Sequence, residues 1–191
     1  ASSNDITLMN EMGFSVEEYV FNYKKALKLA SKNNLASLKK ATLLTNPKKY
    51  AKEDPQVLTD GALGGNSFYS NWLGFEGNDM DAVVDLGSSN FINNISMNFL
   101  QVTNHIVFYP LDVQFEISKD SISWKYLPII TNQKKLNSKS KVNDIQTFSQ
   151  NVNNEKARYI RIKAKNIKKA PFWHHGADLP AWIFADELIV E

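Results

Sequence analysis

Two loops of this 191-residue chain gather side chains that could do chemistry. The first lies in WLGFEGNDMDAVVDLG at 72–87, where Trp72, Phe75, Glu76, Asp79 and Asp81 run directly into an apolar strand pattern. The second lies in PFWHHGADLPAWIFADELIVE at 171–191, where Trp173, His174 and His175 sit between Pro171 and Gly176 ahead of another apolar run. His105 and Tyr109 stand in a third connection, closed by Pro110. Rings beside histidines and acids suit a sugar, whose C–H face stacks on an aromatic plane while polar groups bond its hydroxyls. The contacts expected on this basis are Trp72, Glu76, Asp79, His105, Tyr109, Trp173 and His174. Trp72 and Trp182 also read as core plugs, Trp182 more so because it lies inside a strand pattern.

The same residues make poor catalysts. A glycosidase needs two carboxyls facing each other across a cleft with separated pKa values. Glu76, Asp79, Asp81, Asp178, Asp186 and Glu187 form no such local pair. HExxH, Walker, GxSxG and GxGxxG patterns are all missing, so a non-catalytic binding module is expected. His174 and His175, if extended, would point to opposite sides and make a poor joint metal site. A hard cation suits the turn LTDGALGG better: Asp60 is followed by Gly61, Gly64 and Gly65, which let carbonyls fold inward, and Ca²⁺ takes about six to eight oxygens. A Glu from the other end of the chain could complete such a site. An ordinary Asp-Gly turn is the alternative.

Composition narrows the classes further. Hydrophobic residues make up 43% and charged residues 22%, as in a soluble globular protein, and the apolar runs are too short to cross a bilayer as helices. With 22 basic against 20 acidic residues the net charge is +2, which implies no nucleic-acid partner, and the lysine clusters read as solvated faces. Cysteine is absent, which removes disulfides and thiolate sites. The start ASSND reads as a processed end, so the chain is expected to be a piece of a larger protein.

The elements that must hold these loops change character along the chain. Ser15 and Glu18 form a capping box, and Tyr19, Val20, Tyr23, Leu27 and Ala30 share one helical face, with Asn33 and Asn34 as the stop. Residues 1–38 are therefore expected to be a helical extension. From about residue 41 the period becomes two, as in Ile95, Met97 and Phe99; in Val113, Phe115 and Ile117; and in Ile160, Ile162 and Ala164. Either Trp182 and Phe184 or Ile183 and Ala185 supply the inner face of the last strand. The polar tract 132–154 reads as a long loop with one edge strand. Short strands with no recurring helix predict an all-β antiparallel jelly-roll β-sandwich over 39–191.

LTDG at 58–61, the 72–87 segment, FLQ at 99–101, PLDVQFEIS at 110–118, ARYIRIKA at 157–164 and WHHGADLPAWIFADEL at 173–188 together resemble the discoidin, or coagulation factor type C, domain. The likeness is greatest to the family 32 carbohydrate-binding modules of secreted bacterial glycoside hydrolases, notably those following β-N-acetylhexosaminidase domains. It implies loops at one end that hold a glycan, galacto- or N-acetylhexosamine-type, and a structural Ca²⁺ held by the Asp60 and Glu187 carboxylates and by carbonyls near Val57, Ala62 and Asp186. Gly65 stands where such domains often carry a Thr or Ser ligand, and His105 where they often carry Trp. The implied partner is a catalytic domain on the same or another chain, the setting secreted, periplasmic or cell-surface, and the state monomeric. A protein- or lipid-binding discoidin domain is the rival reading, as is an accessory domain packed on a glycosidase with no free ligand. Acids and histidines in the loops disfavour a membrane.

Overall fold

A computed structural model describes residues 33–48, 54–65, 67, 71–134 and 143–191. Among the described residues eight strands run in chain order: β1 (Lys40–Leu43), β2 (Leu73–Glu76), β3 (Met80–Gln101), β4 (Asp112–Ser118), β5 (Lys125–Tyr126), β6 (Ile130–Thr131), β7 (Asp144–Ala164) and β8 (Trp182–Val190). All pairings are antiparallel, in the order β2-β8-β3-β7-β4-β5, with β1 added to β3 and β6 to β4.

The architecture follows from one long ribbon. β3 and β7 pair along almost their whole length, but their register jumps between Asp85 and Asn90 and again between Ile92 and Asn94. Gly87 (φ +83°) on one strand and Asn153 and Asn154 (φ +58° and +59°) on the other supply left-handed backbone at these breaks, where Gly and Asn are the least costly residues. Such irregularities bend strands, and each half of the ribbon recruits different neighbours. The outer half of β3 pairs with β1 and the end of β7, which continues to β4. The other half, Ile95 to Leu100, pairs with β8, which continues to β2. Ala82, Val84, Ile95, Met97, Phe99, Phe115, Ile160, Ile162 and Ile183 from both halves meet in one core, as a β-sandwich requires.

The alternating apolar sets Ile95, Met97 and Phe99 on β3, Val113, Phe115 and Ile117 on β4, and Ile160, Ile162 and Ala164 on β7 are buried as expected. On β8, Ile183 and Ala185 face this main core, whereas Phe184 turns to a second cluster with Trp72, Leu100, Val102 and Val107. The tract 132–154 is less of a loop than its polarity suggests. From Asp144 onward it is strand, pairing with β3 residue by residue while burying only Phe148 and Val152. Main-chain pairing with β3 supplies the order that a polar sequence conceals.

The predicted helix falls on residues outside the described ones, except for 33–38, which form a turn. There Asn34 is buried and joins the start of the domain to its last strand. Its Nδ2 donates to the Glu187 carboxylate (3.1 Å) and the Leu188 carbonyl (2.8 Å), and its Oδ1 accepts from the Val190 amide (2.9 Å). The residue read as a helix stop is a clip between the two ends of the sandwich.

Candidate functional site

Because the ribbon folds back, its two ends bring the β2–β3, β3–β4 and β7–β8 connections to one end of the molecule. Asn166 binds three of their strands and loops together. Its Nδ2 donates to the Phe75 and Ala181 carbonyls (3.2 and 2.9 Å), and its amide donates to the Asp79 carboxylate (2.8 Å). Asp79 is further held by Lys168 at 2.6 Å, and Glu76 lies 3.7 Å from Lys48. These two expected contacts are therefore half-buried braces between loops.

Trp72 and Tyr109, also expected contacts, lie inside. Trp72 is 0% exposed, and its indole N–H donates to the Gly65 carbonyl at 2.8 Å. Gly64 lies so close that a Cβ there would meet the indole at 2.2 Å, so the ring is roofed by the glycine turn and offers no face to a ligand. Tyr109 is buried with Lys134 over its ring, 5.3 Å from the centroid. Burial and then the adjacent Asp144 carboxylate push its phenol well up, while Lys134 holds Asp144 below the usual carboxylate range. His174 is 6% exposed, with both ring nitrogens bonded to main chain: Nε2 to the Thr103 carbonyl at 2.6 Å and Nδ1 to the Gly176 amide at 2.9 Å.

What remains open is a smaller group on two loops that His174 ties together. His105 is exposed on the 3-10 turn Thr103–His105, followed by Ile106 in left-handed backbone (φ +62°), which is rare for a β-branched residue. Opposite it, loop 171–180 carries half-buried Trp173, edge-on to buried Phe108 at 6.3 Å. Phe172 beside it is 92% exposed. His175 is exposed and lies over His174 with ring centroids 4.2 Å apart. The two histidines do not point apart as an extended segment would have them, because the loop is a chain of turns. Gly176 packs against Ile106, where a Cβ would come within 2.8 Å of its side chain, so the loops touch closely. Phe172 was not singled out in the sequence, and His175, named beside His174, was not among the expected contacts. Their signal was the Pro171–Gly176 bracket, where an aromatic residue has no strand partner to bury it.

A second constellation sits on β8 away from these loops. Between Met97 and Phe99 the β3 register shifts, so that Asn98 faces two residues of β8 where one is usual. This bulge lets both Ala185 and Leu188 reach the core and re-aims the two carboxylates between them. Asp186 accepts from the Asn98 amide (3.2 Å), the Asn98 side chain (3.1 Å) and the Gly64 amide (3.0 Å). Glu187 accepts from the Gly61 amide at 3.1 and 3.2 Å and so lies over the Asp60 turn. Asp60 accepts from the Ala62 amide (3.0 Å) and from Asn71 (3.2 Å), which also reaches the Ala62 carbonyl (3.1 Å). Val57 is buried in the 3-10 turn Pro55–Leu58 just ahead. Burial pushes Asp186 up to about 7; burial, then the Asp60 and Asp186 charges, push Glu187 up to about 9. Among the described residues none of the three carboxylates has a Lys, Arg or His ion-pair partner. Nor do three His, Cys, Asp or Glu side chains there cluster as metal ligands, so a cation would depend mainly on carbonyls. Turn amides donate to these carboxylates, and the feature that a hard cation would answer is the adjacent buried pair Asp186 and Glu187 without a countercharge.

The bent antiparallel sheet is that of a discoidin-type β-sandwich. A profile of the F5/8 type C domain matches residues 40–183, and the chain belongs to that family. Curated protein sequences give no match. Among solved structures, a family 32 carbohydrate-binding module from a family 31 glycoside hydrolase of Clostridium perfringens is similar with a TM-score of 0.53 at 15% identity, covering 83% of this chain and 96% of that one. Another C. perfringens module, solved in complex with GlcNAc-α-1,4-galactose, gives 0.52 at 17% identity over 84% and 96%. A Streptococcus pneumoniae fucose-binding module gives 0.51 at 12% over 83% and 97%. Identities this low establish a shared fold, and function has to be argued from the site.

Proposed function

We propose that this domain is a non-catalytic carbohydrate-binding module, with Phe172, Trp173, His175 and His105 as the glycan contacts. The observation that carries the reading is Phe172: an aromatic ring 92% exposed on a loop that is otherwise pinned by buried bonds. A wet ring on the loop that carries the imidazoles is the arrangement a pyranose face needs, and a loop already pinned by buried bonds lowers the ordering cost of binding. Relatives in fold that bind GlcNAc-α-1,4-galactose and fucose support a sugar ligand. We take galacto- or N-acetylhexosamine-type sugars as the ligand class, and the role as holding an attached or partner glycoside hydrolase near its glycan outside the cell, as a monomer. A Ca²⁺ at Asp60 and Glu187, with carbonyls near Val57, Ala62 and Asp186, would staple the glycine turn to β8 and supply structure only. Glycan-array screening followed by calorimetry with the W173A and F172A variants tests the reading. Specific binding that both variants weaken supports it; no binding at millimolar sugar refutes it.

Exposed Phe172 and Leu179 with Lys168 and Lys169 nearby favour one rival, a lipid-binding loop. Asp178 and the Lys168–Asp79 pair weaken its basic character. Sedimentation with phosphatidylserine vesicles separates the two.

A further inference from the structure

Loop 171–176 carries the exposed rings, and one buried side chain holds it. His174 donates from Nε2 to the Thr103 carbonyl (2.6 Å) and accepts at Nδ1 from the Gly176 amide (2.9 Å). A carbonyl only accepts and an amide N–H only donates, so this pair of bonds requires a neutral imidazole with its proton on Nε2. Phe108 meets the ring edge-on at 5.8 Å, Trp173 lies 6.0 Å away and His175 covers it at 4.2 Å.

We propose that His174 is a positioning residue for the glycan site: in its Nε2–H form it latches loop 171–176 onto the Thr103–His105 turn. The positioning role rests on the glycan-binding reading of these loops; the latch itself does not. Main-chain groups occupy both ring nitrogens, so the ring has no polar atom left for a ligand and its polar bonds serve only to hold the two loops together. The sequence reading took His174 as a contact; burial turns it into the hinge pin behind the contacts.

Two variants separate the bonds. In H174N the side-chain oxygen takes the place of Nδ1 and keeps the Gly176 bond without reaching Thr103. In H174Q the amide nitrogen takes the place of Nε2 and keeps the bond across the loops. Amide hydrogen exchange of the intact protein reads the latch with no sugar present: the Ala177 amide, bonded within the loop to the carbonyl of residue 174, should exchange faster in H174N than in the wild type and regain most of its protection in H174Q. Galactose and N-acetylgalactosamine titrations should show H174N weaker than the wild type by roughly five- to tenfold, the worth of one buried hydrogen bond. H174Q should bind more tightly than H174N, because it keeps the bond across the loops. Ala177 exchange in H174N equal to the wild type overturns the latch. H174N affinity equal to the wild type overturns the positioning role. Failure of the glycan reading is seen separately, as no binding by the wild type.

Discussion

Removing the Trp72 ring separates a structural tryptophan from a ligand platform. The ring is fully buried, packs beneath Gly64 and donates to the Gly65 carbonyl. W72A loses the packing of a buried aromatic, about 3–5 kcal/mol, and strands the Gly65 acceptor at about 1 kcal/mol more. For a domain of this size each kcal/mol lowers Tm by about 2–4 °C, so a fall of roughly 8–24 °C is expected. W72F keeps most of the packing and should cost about 1–2 kcal/mol for the lost bond. Gly64 gives an internal check. G64A alone should cost about 1–3 kcal/mol, because its methyl would collide with the indole, and much less in a W72A background, a coupling of at least ~1 kcal/mol in the double-mutant cycle. Urea unfolding followed by fluorescence measures all four proteins. The reasoning fails if W72A is less stable by under about 0.5 kcal/mol, or if it abolishes sugar binding while the fold keeps its wild-type stability.

Chelation should lower Tm and added Ca²⁺ restore it, by about 2.7 kcal/mol at a hundredfold excess over Kd; E187Q should abolish the response, and an unchanged melt on both treatments in the wild type contradicts the site. N34A removes three buried bonds between the domain's ends and should cost about 2–4 kcal/mol in urea unfolding; a loss under about 0.5 kcal/mol would contradict the clip. Asp120 accepts from the Ile122 and Ser123 amides, and these bonds, Ser123 first, hold its carboxyl down to about 2. Because the folded value is depressed, its stabilisation is full above the unfolded value of about 4 and fades as pH falls through about 2. D120A should therefore be less stable than the wild type at neutral pH and equal to it near pH 2; a gap that does not narrow on acidification refutes the assignment.

The sandwich was legible in the sequence wherever one strand face is dry, as in Val113, Phe115 and Ile117. It was hidden at 144–152, where main-chain pairing with β3 orders a polar segment that buries only Phe148 and Val152. The β8 bulge was equally hidden, because a register shift leaves no mark on composition, yet it alone explains how Ala185 and Leu188 can share the core. At the loop end several of the expected side chains are buried. Trp72, Tyr109 and His174 have the chemistry of contacts but lie inside, since burial depends on what covers a ring: Gly64 for Trp72, and the Thr103–His105 turn for His174. Phe172 drew no notice because phenylalanine is ordinarily a core residue, and only its position on a turn leaves it in water.

On the proposed reading, two pinned loops present Phe172, Trp173, His175 and His105 to a sugar. Backbone amide shift mapping during titration with the sugars selected by a glycan array tests it most directly. The account predicts shifts confined to residues 102–106 and 171–180, lost in a F172A/W173A double variant that melts as the wild type does. Shifts centred on any other surface, or binding that survives in that variant, would contradict it.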